Sequence, residues 1–155
     1  MSDIRFVKNN QPFLDDNLIS FFDKHPESFN LGEKPEGFRE SSVPNFFDVT
    51  DEFGNQIGIA FFTVDDEHNK EIEISLGKIN DKYQGFADKV LSKLDKIKLL
   101  LPSKWFDENG DEYKTHWLAI VKDSNPACEH LRRVNKKHGF IEEKDQSNYI
   151  FKKPI

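Results

Sequence analysis

Between residues 71 and 101 the spacing of apolar side chains changes from two to three or four, which dictates a strand followed by a helix. In EIEISL, Ile72, Ile74 and Leu76 alternate with Glu71, Glu73 and Ser75, so the strand has unlike faces. From residue 86 onward, Phe86, Ala87, Val90, Leu91, Leu94, Ile97 and Leu101 form an apolar stripe at helical spacing. Lys89, Lys93, Asp95, Lys96 and Lys98 fall largely off it, and the pattern predicts one long amphipathic helix over 86–101. Between strand and helix lies NDKYQG, residues 80–85. A strand that feeds a helix through a glycine turn aims free backbone N–H groups at whatever sits above, which suits a phosphate. Many such turns bind nothing, so this one assigns no function by itself.

A chain of 155 residues fits one domain, 1–155, and can bury a core without disulfides or metals. Apolar content is only 36%, but 15 Phe, with doublets at Phe21-Phe22, Phe46-Phe47 and Phe61-Phe62, supply large areas to bury. A net charge of -6 argues against a general nucleic-acid binder, which needs a net basic face. The single Cys128 excludes an intramolecular disulfide and any multi-cysteine metal site, and no metal is expected. No run approaches the ~18 apolar residues of a membrane span, and the amino terminus lacks a signal-like apolar stretch. The expectation is a cytoplasmic protein without a membrane partner.

In chain order, residues 4–7 suit a short strand, and Phe13, Leu14, Leu18, Phe21 and Phe22 suit a helix ending near His25-Pro26. Residues 26–44 are rich in Pro, Gly, Ser and charge and read as loop. Residues 46–49 and 56–64 are β-prone and joined by a turn containing Gly54-Asn55, and 65–69 make a second polar turn into the strand at 71. That makes an antiparallel meander. After the helix, the apolar run HWLAIV at 116–121 is a strand of the kind buried on both faces in a parallel pairing, and 102–115 is a long connection to it. Asn125 as N-cap and Pro126 at the first helical position open a last helix that Gly139 closes, and one strand region from 140 to 151 ends the chain. The fold class is α/β, of the α+β kind: a mixed sheet in which an antiparallel meander precedes a strand-helix-strand crossover.

In this order the chain resembles the GNAT superfamily of acyl-CoA-dependent N-acyltransferases over most of residues 46–155. Two motifs carry the resemblance. The strand-turn-helix matches the family pattern Arg/Gln-x-x-Gly-x-Gly/Ala, and Val121-Lys122-Asp123-Ser124-Asn125 followed by His138-Gly139-Phe140 matches its valine, three residues, asparagine and a helix ending in Gly-Phe. The first motif fits in two registers. Ungapped, Lys82-x-x-Gly85-x-Ala87 keeps the donors of a phosphate cradle; alternatively Tyr83-Gln84-Gly85 matches an aromatic-Arg-Gly start, and the loop is two residues short. The ungapped register is adopted here.

The resemblance implies acetyl-CoA as co-substrate. Its pantetheine would pair along Ser75, Leu76, Gly77 and Lys78, and its pyrophosphate would sit on Lys82, Tyr83, Gln84, Gly85, Phe86 and Ala87, with Asn125 near the splayed end of the next strand. Lys78, Lys89, Lys122, Arg132 and Arg133 are available to neutralise phosphates. Candidate bases for the amine are Glu73 and Glu71 on the strand and His116 at the start of the next. The tyrosine that many members place on the last helix is missing: counting back from Gly139-Phe140 its position falls at Asn135, counting forward from Asn125 near Arg132. Cys128, though early in a helix, reads as packing. The reaction implied is acetyl transfer to a primary amine, on a small molecule or a protein, by direct attack in a ternary complex. A GNAT-fold protein that has lost catalysis and acts as a binding or regulatory module is the alternative, and a binding domain of another fold is a third. Acidic residues in 26–44 and 102–115 (Glu27, Glu33, Glu36, Asp107, Glu108, Asp111, Glu112) would suit a cationic amine. A homodimer stays open.

Overall fold

The computed structural model describes residues 3–9, 29–31, 45–64, 70–79 and 84–155. The helix expected over 13–22, most of the 26–44 loop and the turn at 65–69 lie outside the described residues. The elements in order are β1 (Arg5–Lys8), β2 (Phe29–Leu31), β3 (Phe46–Thr50), β4 (Gln56–Thr63), β5 (Glu71–Lys78), α1 (Phe86–Leu91), α2 (Leu94–Lys98), β6 (His116–Lys122), α3 (Cys128–Lys137), β7 (Ile141–Asp145) and β8 (Asn148–Pro154). A 3-10 turn, Ser103–Phe106, precedes β6. The strands form one sheet in the order β1-β3-β4-β5-β6-β8-β7, with β2 attached to β5 off that path.

β3, β4 and β5 are the expected antiparallel meander, and β5 pairs β6 in parallel. The period-2 pattern explains which face does what. Ile72, Ile74 and Leu76 of β5 share one face with Phe47, Ala60, Phe62, Trp117 and Ala119, and on it pack Phe86, Val90, Leu91, Leu94 and Ile97. Phe62 anchors this core, its ring edge-on to both Phe47 (6.0 Å) and Trp117 (6.1 Å). The opposite face is also closed over Phe46, Ile59, Phe61 and Leu118, with Phe46 and Phe61 stacked as a cross-strand pair.

Three expectations need correction, and the long connection to β6 adds a detail. The helix over 86–101 is broken between Leu91 and Leu94. Ser92 Oγ donates to the Lys89 carbonyl (2.7 Å), and Lys93, with φ -113 and ψ 17, leaves helical geometry. Its ammonium pairs with Asp3 (2.7 Å), tying the break to the chain start. The apolar stripe survives, because both short helices bury it. The last helix begins at Cys128, not at Pro126. Asn125 closes the turn before it, accepting the Ala127 N–H on Oδ1 and the Cys128 N–H on its carbonyl (both 2.9 Å). The terminal strand region is two strands, β7 and β8, paired antiparallel from Ile141↔Lys152 to Asp145↔Asn148, with Gln146 at φ 49 in the turn. The connection 102–115 is partly structured: Trp105 is buried, and its carbonyl accepts the Lys114 N–H (2.7 Å).

The helix end at Gly139 is as expected. Gly139, at φ 85, donates to the Lys136 carbonyl while Phe140 donates to the Asn135 carbonyl, the paired bonds of a Schellman stop.

Candidate functional site: the splay between the central strands

β5 and β6 pair only through Glu71↔His116, Ile72↔Trp117 and Glu73↔Leu118. Past that point β5 stays with β4 as far as Gly58↔Lys78, and β6 stays with β8 as far as Lys122↔Asn148. Residues 74–78 and 119–122 therefore run on without pairing each other. The sheet opens there. The edge of β5 exposed by the opening carries peptide N–H and C=O groups that need a partner.

β2 takes that edge. Leu76 and Gly77 already pair with Ala60 and Ile59 on the β4 side, so the pairs Phe29↔Gly77 and Leu31↔Leu76 must form on the side β6 has left. β2 lies against β6 as well. Nothing in the composition of residues 26–44 marks these three residues as a strand, and sequence reasoning missed them.

The residues implied as cofactor-binding fall into three groups. Ser75, Leu76, Gly77 and Lys78 all lie on the opened arm of β5, and the first three are buried, so they offer mainly backbone groups. Gln84 and Gly85 are exposed at the start of α1; Gly85 is its N-cap in the left-handed region (φ 74, ψ 25), and no side chain caps the helix. Phe86 and Ala87 point into the core, so they too can present only their N–H groups. Lys82 and Tyr83 lie outside the described residues, as does the difference between the two registers. Asn125 follows the end of β6 and spends its side-chain oxygen on Ala127.

The candidate bases gather at the paired end. Glu73 is the last residue of β5 paired with β6, at the apex of the opening. Glu71 and His116 face each other two residues farther back, about 7 Å along the strand. Glu71 Oε1 is 3.0 Å from Lys152 Nζ, and this carboxylate raises the lysine's pKa. His116 Nδ1 is 2.8 Å from Thr115 Oγ1.

Around the first turn of α1, Asp88 meets His138 Nε2 (2.6 Å) and Lys137 Nζ (3.1 Å), both at the end of α3. These contacts hold the Asp88 carboxyl below its ordinary range and offset a negative charge beside Gly85. Of the cations named for phosphates, Arg132 is committed elsewhere: it forks onto Glu142 and stacks on Tyr149 (4.0 Å to the ring centre). Arg133 pairs with Glu129 along α3. Cys128 packs against the core, and burial pushes its thiol pKa up, as suits a packing residue.

Asn135 is the one buried polar side chain of α3, fully enclosed, with neither Oδ1 nor Nδ2 hydrogen-bonded. An enclosed amide without partners costs stability. The position was legible from the Gly-Phe stop; its enclosure was not. Among the described residues no group of three or more His, Cys, Asp or Glu could hold a metal ion, and no helix is long and apolar enough to cross a membrane. An open hollow of about 580 Å³ lies between the Asp123-Ser124 turn and Ser147-Asn148, at the far end of β6.

No family model matches the chain, and no curated protein matches it in sequence. Solved structures do match in fold. The GNAT domain of S. lividans PAT superposes with a TM-score of 0.59 at 12% identity, covering 98% of this chain and 89% of that one. The ribosomal-protein-S5-alanine acetyltransferase of Vibrio fischeri gives 0.60 at 14% identity, covering 99% and 92%. A GNAT-family acetyltransferase of Bacillus anthracis gives 0.50 at 16%, covering 71% and 66%. With its meander, its parallel crossover and its splayed central strands, this chain has the fold of the GNAT acetyltransferases, in a divergent sequence.

Proposed function

We propose that the protein is an N-acetyltransferase that uses acetyl-CoA and acetylates a primary amine by direct attack in a ternary complex. The observation that supports this reading most is the opening of β5 from β6 directly before the Gly85 turn. The fit to acetyl-CoA rests on backbone chemistry: the β5 edge at Leu76 and Gly77 already accepts an extended chain, as β2 does. Bound acetyl-CoA would supply the activated acyl group. Ser75 to Lys78 would hold the pantetheine amides by main-chain pairing, and the N–H groups at Gln84 to Ala87, with Lys82 and Tyr83, would hold the phosphates.

Glu73 is the favoured base, because it stands at the apex where the two strands part. It would take the proton of the attacking amine through a water, with Glu71 and His116 behind it. As the amine nitrogen bonds to the acyl carbon, the carbon–sulfur bond breaks and thiolate leaves. Asn135 has no acidic proton to give, so water protonates the thiolate. Asp107, Glu108, Asp111 and Glu112 are exposed between the 3-10 turn and β6, which favours a cationic acceptor.

The test is release of free thiol from acetyl-CoA across a panel of cationic, neutral and anionic amines. Turnover with cationic amines, falling roughly 10²-fold in Glu73→Gln, is expected. Turnover with neutral or anionic acceptors alone would refute the acceptor assignment. Two observations favour the second reading, a binding protein without catalysis: β2 lies in the opening, and α3 carries no tyrosine. Acetyl-CoA binding without turnover of any amine would select it.

A further inference from the structure

We propose that β2 is an internal competitor of the acyl-CoA cofactor: residues 29–31 occupy the β5 edge that the pantetheine arm needs, and cofactor binding requires their displacement. The inference rests on the acetyl-CoA reading above and adds a regulatory step to it. Three facts carry it. First, the pairing places Phe29 and Leu31 opposite Gly77 and Leu76, within the segment where pantetheine pairing is proposed. Second, that edge can hold only one extended partner, because β4 pairs the other edge of β5 from Glu73 to Lys78. A peptide strand and a pantetheine arm would compete for the same N–H and C=O groups. Occupancy is exclusive.

Third, β2 is weakly held compared with its neighbours. It is three residues long, and its register shifts between Phe29 and Leu31, whereas β4 and β5 keep an unbroken register from Gly58↔Lys78 to Thr63↔Glu73. A strand so short and irregular keeps the edge satisfied without locking it. Leu76 and Gly77 then have a partner in the free protein, which leaves less of the edge open to strand addition by a second chain. Apparent cofactor affinity is the intrinsic affinity multiplied by the fraction of molecules in which β2 has let go.

Two measurements test this together. The first is hydrogen exchange of the wild-type protein, free and saturated with acetyl-CoA. The amides of 29–31 should be protected in the free protein and lose protection with acetyl-CoA, while those of β4 and β5 keep theirs. The second is calorimetric titration of wild type and F29P/L31P with acetyl-CoA. Proline removes the N–H at both paired positions, so the variant should bind about tenfold tighter, the effect of one or two lost ladder bonds. If acetyl-CoA binds while 29–31 stay protected and the variant gains nothing, the competitor is overturned and the cofactor reading stands. If neither protein binds acetyl-CoA, both fall. Should the variant not fold, exchange in the wild type decides alone.

Discussion

At Gly58 in β4, the Phe86 ring lies where a side chain would be. A Cβ added there would collide with that ring and come 2.6 Å from the Gly77 carbonyl, so the first residue of α1 is seated on a bare stretch of strand. Gly58→Ala should cost about 2 kcal/mol by forcing Phe86 off its seat, read as a lower denaturation midpoint with unchanged slope. Asn135 makes the opposite case. Its enclosed, unpartnered amide predicts that Asn135→Leu, which keeps the number of side-chain heavy atoms but removes the polar ones, raises stability by about 1 kcal/mol. A lower melting temperature would mean that the amide has a partner in solution. Glu142 sets an acid limit. Arg132 and then Lys136 hold its carboxyl at about 2 against an ordinary 4.5. A depressed carboxylate stabilises fully above its unfolded pKa, so this contribution is complete above about 4.5 and is lost as pH falls toward about 2. Glu142→Gln should therefore cost about 1 kcal/mol at neutral pH and almost nothing near the bottom of that window, seen as converging melting temperatures.

Elements were legible where the apolar period is long and unbroken. β4, β5 and β6 are such runs, and their buried faces follow the alternation of Ile72, Ile74 and Leu76 or of Trp117, Ala119 and Val121. The break between α1 and α2 was not legible, because Leu91, Leu94 and Ile97 keep helical spacing across it while a single serine hydroxyl redirects the backbone. β7 was not told apart from β8 for another reason. Its IEEKD is exposed at four of five positions, so it has no apolar face to announce it and exists only by pairing with β8. The helix start was read two residues too early, at Asn125, because asparagine before proline serves a turn as well as it serves a helix start. The side chain that closes this turn makes Asn125→Ala a stability variant: a loss of about 1 kcal/mol is expected. A loss near zero would show that the turn holds without it.

For the whole molecule, the meander and the parallel crossover could be worked out from spacing, since a helical stripe between two apolar strands leaves few other topologies, whereas the pairing of β1 with β3 and of β8 between β6 and β7 has no such signal. The site was legible only in outline. The Gly85 turn and the β5 edge were marked by their residues, but the depth of the opening depends on where β6 stops following β5, and no residue at 73 or 118 announces that point. β2 was invisible for the same reason, being held by backbone pairing and not by a pattern. The central proposal, supported by the opening, the Gly85 turn and the fold, is that acetyl-CoA binds between β5 and β6 over the start of α1. Calorimetric titration of the wild type and of Gly85→Glu with acetyl-CoA tests it most directly. Gly85 is exposed, has φ 74 and no atoms within contact of an added Cβ, so the substitution strains the turn and adds a negative charge there without crowding the core. The account predicts micromolar binding by the wild type, weakened at least tenfold in the variant. Equal binding by the two proteins, or none by the wild type, would contradict it.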